Sequence, residues 1–363
     1  KYKVCVYGIC KNEEKFVKRW YESMKEADAI FVLDTGSTDN TVKLLKEFGV
    51  NVRTSKIEPW RFDVARNKSL DLIPDDYDIC VCTDLDEVFE KGWRKYLEDS
   101  WVGSTSRARY NYNWSLDDNN RPLVNFYTDK IHQRKNYKWT HPVHEVLTFL
   151  GDKENIITID NIVLNHYSDK SKSRGSYLPL LELSVKEDPN DDRNMHYLGR
   201  EYMYYGKWNE CIDTLIKHLN LKSSTWKDER CASMRFIARS YKNLGRVEES
   251  KMWYDKAINE APYLRDSYVE RGILEYELDN YKEASKYLND ALNINSHEKT
   301  YINEIFSWDN TIYDMLSICM FYLNRIDESL FYIDKAIDME PNNERLINNK
   351  KIIKRYKENN NSI

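Results

Sequence analysis

Two aspartates one residue apart, Asp84 and Asp86, close a short apolar, β-branched run in Ile79-Cys-Val-Cys-Thr-Asp-Leu-Asp-Glu87. On a strand alternate residues share a face. Two acids leaving the end of a buried strand therefore point into one crevice, where their repulsion calls for a cation. Oxygen ligands in a partly open site suit Mg²⁺ or Mn²⁺, ions that normally bridge to a substrate phosphate. Exposed acid pairs are common, so the pattern alone says little. Its place after the fourth strand of an alternating series gives it weight.

That series starts with a buried-strand run from Tyr2 to Ile9, followed by an amphipathic helix from Glu13 to Met24. A second apolar strand, Ala29 to Leu33, ends in Asp34-Thr-Gly-Ser-Thr-Asp-Asn-Thr41, which reads as a turn, an N-cap and a helix through Phe48. A third strand spans Asn51 to Ile57 and a third helix Phe62 to Ile73; Asp78 to Thr83 is the strand that carries the acid pair. Strands alternating with helices at this spacing indicate a parallel, doubly wound α/β sheet, the Rossmann-like arrangement. Ligands of such sheets bind outside the carboxyl ends of the strands. Asp34, Asp84 and Asp86 all fall at such ends.

From about Ser104 the pattern changes to period two, in Arg107 to Trp114, Leu123 to Tyr127 and Lys130 to Arg134, which reads as antiparallel strands with a polar face. Ile156 to Asn165 offers one more strand, and Ser168 to Ser176 is a polar, basic linker or mobile loop. After Pro189 the chain is helical throughout. Gly199, Tyr202, Gly206 and Cys211 hold offsets that recur as Ala238, Tyr241, Gly245 and Ser250, and weaker copies follow around Gly272 and Ser317. Small residues at these offsets let paired helices approach closely. The expected domains are a sheet domain over 1–170, a linker over 171–190, an all-α solenoid over 191–356 and a frayed polar tail over 357–363.

Composition narrows the classes. The 363 residues suffice for two or three domains, and 41% hydrophobic residues build real cores. No apolar run approaches the roughly 18 residues of a membrane span. Net charge is −5 with no long basic stripe, which argues against a nucleic-acid partner. Seven scattered cysteines form no C-x-x-C pair. Their spacing argues against a zinc site and for reduced, buried thiols in a cytoplasmic protein.

Four motifs in order carry a resemblance: Val6-Tyr-Gly-Ile-Cys-Lys-Asn-Glu13, Val32-Leu-Asp-Thr-Gly-Ser-Thr-Asp-Asn-Thr41, Phe62-Asp-Val-Ala-Arg-Asn67 and Asp84-Leu-Asp86. Residues 1 to about 167 resemble a family 2 glycosyltransferase of the GT-A fold, and the helical part resembles tetratricopeptide repeats. Together they are similar to the repeat-bearing branch of that family, which includes the S-glycosyltransferases of sublancin-type bacteriocins. The resemblance implies a UDP-sugar donor, a Mn²⁺ or Mg²⁺ cofactor and displacement at an anomeric carbon with a nucleoside diphosphate leaving. It implies that the first strand end, Ile9, and the Asp34 turn hold the nucleotide, with Asp34 on the base and Glu13 near the ribose. Plain turn and helix-capping chemistry is the other account of Asp34, Ser37 and Asp39. Arg66 follows Phe62 and Ala65 at helical spacing; a guanidinium there grips a diphosphate, fixes Asp84 by a paired bond, or is only a surface charge.

Asp86 is the first choice of metal ligand under this resemblance. Asp84 binds the metal directly or through water, or touches the ribose. An inverting enzyme also needs a base for the acceptor. Trp139-Thr-His-Pro-Val-His-Glu145 supplies Glu145, in a bend whose apolar surroundings suit that task. A late histidine often completes the metal shell of the GT-A core: His166 fits, with His144 as the alternative, and each has an ordinary reading as a hydrogen-bonded structural residue. Trp114 and Trp139 either stack on a sugar or fill the core.

The leading expectation is transfer of a sugar to a peptide or protein side chain, because a concave helical solenoid suits an extended peptide or a partner protein. The alternatives are a glycan, lipid-linked or nucleobase acceptor, or a repeat scaffold with a degenerate nucleotide-binding domain. The sequence leaves the donor sugar, the acceptor atom and homo-oligomerisation open.

Overall fold

The structure, a computed structural model, describes residues 1–169 and 175–360, so part of the expected loop over 168–176 and the tip of the tail lie outside the described residues. The chain forms two compact units, Lys1–Glu187 with Lys299–Tyr301, and Asp188–Glu298 with Ile302–Ile363.

The first unit begins with β1 (Val4–Cys10), α1 (Glu14–Met24), β2 (Ala29–Asp34), α2 (Thr41–Glu47), β3 (Asn51–Thr54), α3 (Phe62–Leu70) and β4 (Ile79–Cys82). Then come β5 (Glu87–Phe89), α4 (Trp93–Ser100), β6 (Arg107–Leu116), β7 (Pro122–Gln133), β8 (Tyr137–Thr140), β9 (Val146–Phe149), β10 (Ile156–His166) and α5 (Tyr177–Glu187). Eight strands make one sheet in the order β3-β2-β1-β4-β7-β6-β10-β5, while β8 and β9 form a separate antiparallel ribbon. The strands β3, β2, β1 and β4 run parallel, as the strand–helix alternation demands. The sheet as a whole is mixed: β7 is antiparallel to both β4 and β6. The short turn between β6 and β7 leaves no room for the crossover that a parallel pair requires.

Every residue of β1 is buried, which fits a central strand covered on both faces. Its side chains alternate between two cores. Val4 and Val6 pack with Trp20, Met24, Leu45 and Val81, whereas Cys5 and Tyr7 pack with Phe31, Ile73, Cys80 and Trp139. Helix α1 forms because Phe16, Val17, Trp20 and Met24 make one apolar stripe, and its Trp20 Nε1 donates to Thr83 Oγ1 at 3.0 Å, pinning the helix to the exit of β4. At Gly8 a Cβ would lie 2.4 Å from the Thr83 carbonyl oxygen, so only glycine lets β1 pass this close to the chain leaving β4. The segment read as a linker over 171–190 contains α5.

The second unit pairs α6 (Asp192–Tyr204) with α7 (Trp208–Asn220), α8 (Lys227–Asn243) with α9 (Val247–Glu260), α10 (Arg265–Glu277) with α11 (Tyr281–Leu292) and α12 (Thr311–Tyr322) with α13 (Ile326–Met339); α14 (Glu344–Asn360) follows. Lys357 to Asn360, read as frayed tail, continue α14. The small-residue offsets mark close helix contacts. A Cβ on Gly199 would lie 2.2 Å from Leu215, and Ser317 and Ser329 exchange hydroxyl-to-carbonyl bonds of 2.9 and 2.8 Å. Each first helix is followed by a left-handed residue, Gly206, Gly245, Asp279 and Asn324 in turn. That residue closes the helix and turns the chain back.

Candidate active site

The end of β2 is organised by its own backbone. Asp34 is buried and accepts from the amides of Gly36 at 3.2 Å and Ser37 at 3.0 Å. The loop after β1 locks onto the same turn: Asn12 Oδ1 accepts from the Thr38 amide at 2.7 Å, and the Asn12 amide donates to Ser37 Oγ at 2.9 Å. The Glu13 amide donates to Thr41 Oγ1 at 2.7 Å. Asp39 accepts from the amides of Glu14 and Thr41 and from the Thr41 hydroxyl. Burial pushes the Asp39 carboxyl up, but these bonds outweigh it and hold the group below its ordinary value. Ile9 sits in a small core with Leu33, Ile57 and Ala65. Turn and capping chemistry thus accounts for the amides that Asp34 and Asp39 accept from.

The end of β4 is organised by distant charge. Asp84 and Asp86 lie in the turn between β4 and β5 rather than on the strand itself. The Glu87 amide closes that turn onto the Asp84 carbonyl at 3.1 Å, and Leu85 between the two acids is fully buried in the core. Arg66, on α3, reaches across. Its Nη2 lies 2.7 Å from Asp84 Oδ1 and its Nε 2.9 Å from Glu145 Oε1. Burial pulls the Arg66 pKa down, yet the neighbouring carboxylates, Asp84 foremost, carry it well above its ordinary value, so it stays charged. The guanidinium is therefore no loose surface charge: it fixes Asp84 by a paired bond and holds Glu145 on the other side.

Helix α3 also positions the Glu145 segment. Asn67 grips the Trp139 backbone twice, donating to its carbonyl at 2.8 Å and accepting from its amide at 2.9 Å. The Phe62 amide donates to the Pro142 carbonyl at 2.9 Å. His141 and His144 both adopt left-handed backbone, with φ of 75° and 50°, as the bend between β8 and β9 requires. Glu145 meets a guanidinium here, so its surroundings are not the apolar ones expected of the bend. Trp139 is core: its Nε1 donates to Tyr7 Oη at 3.0 Å, and Tyr7 Oη lies 2.8 Å from His132 Nε2. Trp114 is about half exposed.

His166, the last residue of β10, meets Asp86. Its Nδ1 lies 2.9 Å from the Trp114 carbonyl oxygen, which accepts only if Nδ1 carries the proton. Nε2 lies 3.5 Å from Asp86 Oδ2; burial pulls the His166 pKa down and Asp86 more than reverses it, so a cation at Nε2 would displace a proton that the pair favours. A histidine oriented by a backbone carbonyl and facing a carboxylate is the usual arrangement of a metal ligand. His144 instead packs its ring against Tyr177, with centroids 5.7 Å apart.

Two residues at this site escaped the sequence reading. Glu87 is buried, accepts from Tyr112 Oη at 2.8 Å and from the Asp84 amide at 2.9 Å, and is pushed up by burial against the pull of Lys130. Lys130 Nζ lies 3.8 Å from Glu87 and 4.0 Å from Asp84. Burial lowers the Lys130 pKa, and Glu87 and Asp84 more than reverse it. Glu87 follows the acid pair directly and Lys130 interrupts a period-two strand; those were the available signals. Asp84, Glu87 and Glu145 thus meet two fixed cations, Arg66 and Lys130, while Asp86 faces His166. Four carboxylates against two fixed cations, together with the His166 nitrogen, fit a divalent cation.

Residues 5–150 match the family described as "Glycosyl transferase family 2". The first unit carries a family 2 glycosyltransferase domain. Residues 236–263 and 266–298 match the tetratricopeptide repeat, so the second unit is a repeat solenoid. Over 230 residues the chain is 27% identical to the SPbeta prophage-derived glycosyltransferase SunS of Bacillus subtilis (strain 168), covering 58% of this chain and 52% of that protein. Over 99 residues it is 32% identical to the lipopolysaccharide core biosynthesis glycosyltransferase LpsC of Rhizobium meliloti (strain 1021), covering 26% of this chain and 36% of that one. The chain thus spans about half the length or less of these curated relatives. Among solved structures, MamA aligns with 49% of this chain and 99% of its own at 17% identity and a TM-score of 0.39, too low a likeness to argue from.

Proposed function

We propose that this chain transfers a sugar from a nucleotide-sugar, a UDP-sugar foremost, to a peptide or protein side chain, with inversion and with help from Mn²⁺ or Mg²⁺. The observation that carries the reading is the meeting of Asp86 and His166, at 3.5 Å, beside the Asp84–Arg66–Glu145 ion pairs. Asp86 and His166 would hold the cation, with Asp84 next to them. When bound, the cation neutralises charge that builds on the leaving diphosphate.

The chain's own residues do the rest. Arg66 ties Asp84 to Glu145, so the donor side and the proposed base keep a fixed distance. Glu145 takes the acceptor's proton as the acceptor attacks the anomeric carbon. Lys130 stabilises the negative charge around Asp84 and Glu87. Asp34, Glu13 and Ile9 are assigned to the nucleotide by the family resemblance.

The repeats and the likeness to SunS support a polypeptide acceptor. The likeness to LpsC, a lipopolysaccharide core biosynthesis glycosyltransferase, favours a second reading, a glycan acceptor, over the 99 residues that it shares. Seven free, buried cysteines support a cytoplasmic location. Among the described residues no helix is long and apolar enough to cross a membrane.

The test is incubation with Mn²⁺ and a panel of nucleotide sugars, reading donor hydrolysis and the mass of candidate polypeptide and glycan acceptors. Donor turnover that stops with chelator and returns with Mn²⁺ is the expected result. Full turnover in excess chelator removes the metal from the reading, and saturable binding of donor without any turnover leaves only a scaffold.

A further inference from the structure

The first helical repeat breaks the pattern of the other three at a buried position. Nineteen residues after the small residue of each first helix, the second, third and fourth repeats have Ala257, Ala291 and Ala336, all fully buried. The first repeat, counted from Gly199, has His218 there, also fully buried. A second departure faces it. Glu229 stands nine residues before Ala238, where the third and fourth repeats have the aromatics Tyr263 and Trp308. An imidazole and a carboxylate thus stand together, buried, at one seam between helices. Burying both costs stability unless something compensates.

The two groups meet: His218 Nε2 lies 3.2 Å from Glu229 Oε1 and 3.1 Å from Ser224 Oγ. Asp192, in the first turn of α6, completes a set whose ligand atoms all lie within 4.8 Å of one another. Two atoms each bound to zinc at its usual distances lie roughly 3.3 Å apart in a tetrahedron, so the His218–Glu229 edge is already at the spacing that the ion needs. The other ring nitrogen is held, as ligating histidines require: Nδ1 lies 2.9 Å from Ser233 Oγ, which in turn lies 2.7 Å from His196 Nδ1. Beyond it, Nε2 of the fully buried His196 has no hydrogen-bond partner among the described residues.

We propose that Asp192, His218 and Glu229 form a zinc site that ties α6, α7 and α8 together, with Ser233 and His196 orienting the ligand imidazole. Two carboxylates balance the charge of one Zn²⁺. The imidazole nitrogen favours Zn²⁺ over Mg²⁺ or Ca²⁺, which prefer oxygen ligands throughout. No cysteine takes part, so the cysteine spacing that argues against zinc does not touch this set. Asp192 is only partly buried and gives the ion a way in.

The test uses the full chain with Asp86→Ala, so that the acid pair of the first unit does not compete for the ion. Zinc binding is followed by equilibrium dialysis, and ligation by the visible absorption of Co²⁺ in its place. The expected result is one saturable zinc per chain, with a lower melting temperature after chelation. His218→Gln and Asp192→Asn should each weaken zinc binding by about tenfold or more and alter the Co²⁺ spectrum. Absence of saturable zinc in the parent chain, or unchanged affinity in the variants, overturns the site. Should His218→Gln fail to fold, Asp192→Asn, at a partly exposed position, decides.

Discussion

The ends of β2 and β4 look alike in sequence and are built on opposite plans. Both finish an apolar strand with aspartates, and both sit where a parallel sheet receives ligands. At β2 the acids are spent on backbone amides, most of them two or three residues away: Asp34 on Gly36 and Ser37, Asp39 on Thr41 and on Glu14 at the start of α1. At β4 they are spent on side chains far along the chain, Asp84 on Arg66 and Asp86 against His166. A turn that satisfies itself is a rigid scaffold. A turn whose acids depend on distant cations and a histidine holds charge that a ligand can reorganise. Loss of a side chain should therefore damage chemistry at β4 and local order at β2.

The largest effect is expected for Asp86→Ala. Removing the proposed metal ligand should lower transfer by roughly 10³-fold, the size of several kcal/mol of lost charge stabilisation, while circular dichroism and the melting curve stay near wild type. A variant that turns over normally places the cation elsewhere. Arg66→Ala should damage both fold and activity, because Asp84 and Glu145 lose their shared partner. The cost should be about 3 kcal/mol, toward the low end for a broken buried pair, since Asp84 is a third exposed. Arg66→Lys should restore part of the stability and little of the activity, because an ammonium cannot serve two carboxylates in one plane. Equal recovery of both would reduce Arg66 to a stabilising charge. Glu145→Gln should cut transfer by roughly 10²-fold or more with donor affinity kept; a collapse of donor affinity instead would make Glu145 a binding residue.

The same contrast explains what was legible in the sequence. Local patterns carried far: the burial of Val4 to Cys10, the stripe of Phe16, Val17, Trp20 and Met24, and the repeat offsets from Gly199 onward are set by neighbours within one or two turns. Candidate ligands Asp86 and His166 could be named, but nothing in their spacing told that the bonding partner of the Glu145 segment would be Arg66, 79 residues away. Lys130 and Glu87 were passed over because a charge on an alternating strand is usually solvated; only the folded sheet brings them within 4 Å of each other. How the antiparallel strands join the parallel ones was not legible for a related reason. Period two reveals strands but not which edge they join, and β7 joins β4 through pairing between Ile79 and Gln133, far apart in the chain. Glu87 to Phe89 is too short and too charged to announce itself as a strand.

The smallest effect tests the β2 side of the comparison. Asp39→Asn keeps an oxygen acceptor for Thr41 and removes the charge. The Asp39 carboxyl is held below its ordinary value, burial being outweighed by the Thr41 and Glu14 bonds. A depressed carboxylate contributes stability that is fully present above its unfolded pKa and is lost as pH falls through the folded one. Wild type should therefore exceed the Asn variant by at most about 1 kcal/mol at neutral pH, and the gap should close below about pH 4, the unfolded value of an aspartate. Because the chain has two units, global unfolding would blur so small a term. Hydrogen exchange of the amides of α2 reads the local opening instead. Transfer activity should be unchanged throughout. A gap that persists unchanged well below pH 4 would trace the effect to shape rather than charge, and a loss of transfer in Asp39→Asn would erase the distinction between a self-satisfied turn at β2 and a reactive one at β4.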